Sequence, residues 1–326
     1  MADKQFPGLL SLRFWRAYLT TMRPYLLFVS GAAGLVGLAF IPAPVLWRVA
    51  LGFVPLFLSY GLGQALTDCF QTDTDSISSP YRPLVKGEVS RRHVLSVSLT
   101  GLVCGVVIMG FLNPPALILA ALAVVGLLTY TFLKRTWWGG PPWNSWIVAL
   151  LPLMGRLVDR GYRFADVLPA RDNYSLAFLL SVGAVFFGYA NFVVMGYFKD
   201  ISADRQTGYH TFPVTFGWVP TAIYSDVTAL GAAGLSGWAM AFIGLRPLAG
   251  VVFVIGLAVN VYAQVRIHLT REEQRSHGPI ANVVRAFVLY CLALVLALKP
   301  GWFIVAAVFY GLFELVLRLR PEQTQV

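Results

Sequence analysis

Residues 93–133 read HVLSVSLTGLVCGVVIMGFL, then NPP, then ALILAALAVVGLLTYTFL, without one formally charged side chain. Asn113-Pro114-Pro115 is a helix-breaking turn. On either side of it the apolar run matches the roughly 20 residues that an α-helix needs to cross a bilayer. Two crossings joined by a tight turn decide the fold class, an all-α polytopic membrane protein. Working outward, the same test finds apolar segments near 24–42, 46–67, 145–157, 175–199, 219–243, 247–268, 281–299 and 301–317. The expectation is a bundle of nine to ten transmembrane helices whose central cavity is capped by cytoplasmic loops. It forms a single unit over 1–326, with 145–157 short and 301–317 an additional C-terminal helix. Residues 1–22, which carry Phe14, Trp15, Arg16 and Tyr18, have the aromatic and basic mixture of a segment lying in the interface.

Composition agrees. Of 326 residues 57% are hydrophobic and 12% charged, about half the charged fraction of a soluble domain. Cys69, Cys104 and Cys291 are too few and too apolar in setting for a disulfide scaffold. The formal net charge of +10 does not gather into one patch, so nucleic acid is not the expected partner. Basic residues recur between apolar runs, as the positive-inside rule produces. With the N-terminus in the cytoplasm, eighteen basic residues fall inside, Lys4 among them. Seven fall outside: Arg48, Arg156, Arg160, Arg163, Arg171, Arg246 and Lys299. No cleavable leader is expected, because a polar amphipathic stretch precedes the first apolar run. The long connections at 68–92, 200–218 and 269–280 lie on the cytoplasmic side of an inner or cytoplasmic membrane, and long loops usually carry function.

Five of the fifteen acidic residues, Asp68, Asp73, Asp75, Asp200 and Asp204, lie in two short windows at the cytoplasmic ends of the second and sixth segments. If the second helix continues past Thr67, then Asp68, Gln71 and Asp75 share one face, and Asp200 and Asp204 share another. Asp73 points away unless the helix has ended. Two facing patches of oxygen ligands call for a hard divalent cation, and Mg²⁺ typically takes one or two carboxylates and leaves room for phosphate oxygens. Without His or Cys in the set, zinc and copper are not expected. Arg82, Lys86, Lys134, Arg135, Lys199 and Arg205 lie close in sequence, and such cations grip a di- or triphosphate.

At these residues the sequence resembles the UbiA superfamily of intramembrane prenyltransferases. That family's first motif, NDxxDxxxD followed by an Arg-Pro turn, corresponds to Thr67-Asp68-Cys69-Phe70-Gln71-Thr72-Asp73-Thr74-Asp75 and then Arg82-Pro83. The second, DxxxD, is complete as Asp200 to Asp204 and continues through Gly208 and Thr211-Phe212-Pro213-Val214-Thr215-Phe216-Gly217. Arg23-Pro24 and Tyr130 with Lys134-Arg135 are weaker matches. Thr67 stands where the family has Asn, and Gln71 where it has the middle Asp, which removes one negative charge.

The resemblance implies that a prenyl diphosphate binds through Mg²⁺ to both aspartate motifs, with its tail in an apolar tunnel that opens towards lipid. Diphosphate departs to leave an allylic cation, and an electron-rich acceptor, aromatic or a quinone precursor, attacks C1. It makes Asp68, Asp75, Asp200 and Asp204 metal ligands, Gln71 and Asp73 auxiliary ones, and Tyr130 catalytic with them. Arg82, Lys86, Lys134, Lys199 and Arg205 grip the diphosphate, and Asn191 and Tyr197 face the cavity. A terpene cyclase of the same type, acting on the same diphosphate, is the alternative reading, and a transporter is the second. Asp226, inside the seventh segment, is a functional candidate or a snorkelling charge.

Overall fold

The computed structural model describes residues 6–161, 163 and 172–320. Lys4 and Arg171, both used to assign orientation, lie outside the described residues. Among those described, all regular structure is helical. The helices are α1 (Leu12–Met22), α2 (Leu27–Ala39), α3 (Leu46–Asp68), α4 (Thr72–Ser78), α5 (Pro83–Lys86), α6 (Arg91–Leu112), α7 (Pro114–Leu133), α8 (Gly140–Leu157), α9 (Asn173–Gly196), α10 (Ile201–Gln206), α11 (Phe212–Phe216), α12 (Trp218–Ile243), α13 (Pro247–Thr270), α14 (His277–Leu298) and α15 (Phe303–Arg318). The chain is a multi-pass membrane protein: eight of these helical stretches are long and apolar enough to span, and α1 with α2 makes a ninth if the bent pair is one crossing. Of the nine to ten spans expected from the sequence, nine are reached when the bent pair counts as one. The run from Pro24 is interrupted by a 52° bend against α1, because Arg23 takes a left-handed backbone (φ 53°, ψ 75°) just before Pro24. The α8 helix, 18 residues with Pro152 inside it, is not among the eight.

Local chemistry sets the ends. Ser11 accepts a hydrogen bond from the Arg13 amide, Ser90 from that of His93 and Asp172 from that of Ser175, each an N-cap contact. Pro114 and Pro247 open α7 and α13, where no amide hydrogen is needed. The α1 helix has two solvent-side faces, an apolar one of Leu12, Trp15 and Leu19 and a basic one of Arg13 and Arg16, while Phe14, Ala17 and Tyr18 are buried. That division suits a helix lying along the headgroups.

The centre of the bundle is α14, with 89% of its apolar window buried, packed against α2, α9 and α13. The peripheral helices α6, α13 and α15 bury only 22% and expose Val107, Val261 and Ile304, an apolar exterior that is stable only in lipid. Where two helices meet closely, the residues are small, as membrane packing requires. In the α2–α8 crossing, a Cβ on Gly37 would run into the Pro152 carbonyl oxygen, and one on Gly155 would lie 2.6 Å from the Gly34 carbonyl oxygen. The C-terminal helix α15 is fastened by its aromatic face, with Phe309 and Phe313 ring centroids 5.0 and 5.9 Å from Phe28. A two-point ion pair adds to this, Arg285 Nε and Nη2 donating to Glu314 at 2.7 and 3.0 Å.

Candidate active site

The second transmembrane helix does not continue through the first aspartate motif. Cys69 caps α3, Gln71 stands at the start of α4 with φ −123°, and only then does the helix resume. The single continuous face expected for Asp68, Gln71 and Asp75 is therefore replaced by a break. The break still turns all three inward, and each is buried. Asp73, on the other side of α4, is half-exposed, 3.7 Å from the Arg135 guanidinium, and accepts from the Tyr209 hydroxyl at 3.4 Å. It is not brought to the other carboxylates.

Asp68 is held by three side chains. Arg23 Nη2 donates to both of its oxygens at 3.1 Å, Gln64 Nε2 donates to Oδ1 at 2.6 Å, and Arg82 Nη1 stands 3.5 Å away. Arg82 also pairs with Asp75, so one guanidinium links the two ends of the motif. Lys134, which follows α7 directly, donates to Gln71 Oε1 at 2.8 Å. The residue that departs from the family pattern thus holds a lysine instead of adding a negative charge.

The second motif approaches from α9 and α10. Asp204 is fully buried and accepts from Thr211 at 3.0 Å through Oδ2, while its Oδ1 has no hydrogen-bond partner. Burial pushes its carboxyl up to about 7, against the opposing pull of Lys134. For Asp200 burial also favours the neutral form, but Lys199, Lys134 and Arg82 together outweigh it and hold the carboxyl below the usual range. Thr74 on α4 and Thr207 at the end of α10 are hydrogen-bonded at 3.1 Å, which ties the two motifs together.

Beside these groups is a polar chamber of about 100 Å³ whose walls include Arg23, Gln71, Asp75, Arg82, Tyr130, Lys134, Tyr197, Lys199 and Asp200, while Asp68 and Asp204 are buried without being on its lining. Gly140 makes room for Tyr197, since a Cβ there would collide with the phenolic oxygen. Beneath lies an apolar cavity of about 550 Å³ between α3, α6, α7 and α8. Tyr60, Gln64, Thr67, Tyr130, Asn144 and Tyr189 line both spaces, so the two are continuous through a neck. There Asn144 Nδ2 donates to the Tyr189 hydroxyl (3.2 Å), which donates to that of Tyr60 (3.3 Å).

Five candidates from the sequence lie elsewhere. Lys86 and Arg205 are exposed and outside the chamber lining, as is Asp73. Asn191 faces away from the cavity: its Nδ2 donates to the Ser225 carbonyl and hydroxyl at 2.9 and 2.8 Å, and its Oδ1 accepts from Gln264 at 3.3 Å. This polar seam between α9, α12 and α13 is a packing device. Asp226 is likewise outside, 2.7 Å from His268 on the next helix. Conversely Arg23, Gln64, Asn144 and Tyr60 are on the walls without having been selected. Only Arg23 carried a sequence signal, its position before Pro24.

Residues 25–280 match the UbiA prenyltransferase family. The digeranylgeranylglyceryl phosphate synthase of Pyrococcus abyssi is 25% identical over 215 residues, 65% of this chain and 73% of that protein. The protein of the same name from Halobacterium salinarum is 29% identical over 225 residues (68% and 76%). The bacteriochlorophyll synthase 34 kDa chain of Chloroflexus aurantiacus is 27% identical over 220 residues (63% and 64%). The fold is similar to that of a UbiA homolog from Aeropyrum pernix K1, with a TM-score of 0.67 at 21% identity over 80% of this chain and 94% of that one. It is also similar to that of a UbiA homolog from Archaeoglobus fulgidus bound to DMAPP and Mg²⁺, with a TM-score of 0.61 at 17% identity over 85% and 98%.

Proposed function

The chain belongs to the UbiA prenyltransferase family, and from that premise we propose that it transfers a prenyl group from a prenyl diphosphate, with Mg²⁺, to a lipid-soluble acceptor. One observation carries the reading: a chamber of paired acids and bases opens through a neck into an apolar cavity, the shape of a ligand with a polyanionic head and a hydrocarbon tail. At about 30 Å³ for each water-sized group, a cavity of about 550 Å³ takes a tail of on the order of fifteen to twenty carbons. The basic-residue asymmetry supports a cytoplasmic location for the chamber.

The residues suit Mg²⁺. Among those described, no three acidic, histidine or cysteine side chains converge to hold a metal alone. Mg²⁺ commonly binds through one or two carboxylates plus substrate phosphates, and Asp204 Oδ1 is a buried acceptor without a partner. Asp75, Asp200 and Asp204 would hold it, Asp68 would keep Arg23 and Arg82 in place, and Gln71 would set Lys134. When bound, Mg²⁺ supplies positive charge to the departing diphosphate. Arg82, Lys134 and Lys199 line the same chamber and stabilise the negative charge that grows on the leaving oxygen as its bond to C1 breaks. Tyr60, Tyr130 and Tyr189 line the neck, where aromatic rings stabilise an allylic cation without covalent capture. The acceptor then bonds to C1 and gives up a proton.

The aromatic or quinone-precursor acceptor expected from the sequence stands beside a glyceryl phosphate acceptor, a class suggested by the names of the archaeal relatives. Purified protein incubated with geranylgeranyl diphosphate, Mg²⁺ and acceptors of both classes, followed by mass spectrometry, tests the proposal. A prenylated acceptor with release of diphosphate is expected. A cyclic hydrocarbon formed without acceptor would replace transfer by cyclisation. Absence of Mg²⁺-dependent diphosphate release from donors of any length would overturn both.

A further inference from the structure

Asp200 is the N-cap residue of the short helix α10, a position where an aspartate ordinarily turns back to accept from the first-turn amides. Here it does not: the Asp200 side chain makes no capping bond and instead lines the chamber. The amide it leaves is satisfied from another part of the chain. Glu273, in the connection between α13 and α14, accepts from the Ser202 amide through Oε1 at 3.1 Å and Oε2 at 3.2 Å. It also accepts from the Ser202 hydroxyl at 2.5 Å. Ser202 is the second residue of α10, the position whose amide an N-cap side chain would take. A negative group at that end also complements the helix dipole.

We propose that Glu273 is a positioning residue for the second aspartate motif: by capping α10 from outside, it releases the Asp200 carboxylate from local duty and leaves it aimed at the diphosphate-binding chamber. The same contact anchors the segment that carries Asp204 to the 271–276 connection. Without Glu273, the unsatisfied amides of α10 compete for the carboxylate at the N-cap position, that of Asp200. Glu273 thus acts through Asp200 and touches no substrate.

The inference rests on the prenyl diphosphate reading only for its ligand-binding arm, so it is tested in two arms. In EDTA, melting midpoints are measured for wild type, Glu273→Ala, Asp200→Ala and the double variant. Asp200→Ala is expected to destabilise the Glu273→Ala protein more than it does wild type, because Asp200 has become the cap; additive effects would overturn the proposal. In the second arm, half-saturating Mg²⁺ is measured for geranylgeranyl diphosphate binding. Glu273→Ala is expected to raise it several-fold, and Glu273→Gln, whose amide oxygen still accepts from Ser202, to restore most of it; Glu273→Asp, whose shorter side chain draws the carboxylate back from Ser202, takes the place of the alanine variant if that one does not fold, with the same rise expected. An unchanged half-saturation in Glu273→Ala would also overturn it. Wild type that binds no prenyl diphosphate with Mg²⁺ would refute the functional reading instead, while the EDTA cycle still decides the cap.

Discussion

Arg23 offers a test in which backbone and side chain pull in opposite directions. Its side chain is buried against Asp68, with two hydrogen bonds of 3.1 Å, and its backbone is left-handed at φ 53°. Removing one partner of a buried ion pair costs about 3–5 kcal/mol. Arg82 and Gln64 remain on Asp68, so the lower end, about 3 kcal/mol, is expected for Arg23→Ala. Alanine also keeps the left-handed penalty of about 1–2 kcal/mol, which glycine does not have. Arg23→Gly should therefore be destabilised by only about 1–2 kcal/mol, the gap between the variants reporting the backbone alone. Equilibrium unfolding in detergent with EDTA measures both. The reasoning fails if Arg23→Ala lies within about 0.5 kcal/mol of wild type, the range of an ordinary surface change, or if Arg23→Gly is the less stable of the two.

Asp204, with its carboxyl raised to about 7 by burial, has a folded value above its unfolded one. Its contribution to metal-free stability is thus present below the ordinary carboxylate range and lost as pH rises through about 7. Stabilisation by Mg²⁺, which needs the ionised form, should grow over the same window in melting curves between pH 5.5 and 8, and Asp204→Asn should flatten it and abolish turnover in a folded protein. Lys134→Met removes a charged hydrogen-bond donor worth about 1.5–3 kcal/mol, so the KM for prenyl diphosphate should rise at least tenfold in steady-state assays, with little change for the acceptor. Gly37→Ala places a methyl group on the Pro152 carbonyl and forces α2 and α8 apart. A loss of about 1–3 kcal/mol in unfolding measurements is expected, whereas Gly234→Ala, whose Cβ meets nothing within 4 Å, should be silent.

The long spans were legible because an uninterrupted apolar run has few solutions in a bilayer, and α6 and α7 follow the reading around Asn113-Pro114-Pro115 closely. The bend at Arg23 was not, since hydropathy is blind to a backbone dihedral. The inward turn of Gln71 and Asp75 depends on the helix break after Asp68, and no side-chain pattern announces that break. Asn191 misled for a different reason: a polar residue on an apolar helix marks a buried partner, but the rotation of α9 against α12 decides whether that partner is ligand or protein. Glu273 gave no signal at all, because its partner Ser202 is distant in sequence and belongs to α10.

The placement of α14 bears on how the protein is made. The helix that fills the middle of the bundle is translated after α2, α3, α6 to α9, α12 and α13, which must wait in the bilayer with their inner faces turned to lipid or to one another. It also enters carrying Arg285, whose counter-charge Glu314 is still on the ribosome side and arrives only with α15. An arginine within a span costs about 2.5–3.5 kcal/mol until that partner follows. Biogenesis should therefore pass through a long-lived, centre-less intermediate, and nascent chains stalled before residue 314 should be the species that membrane quality-control proteases recognise.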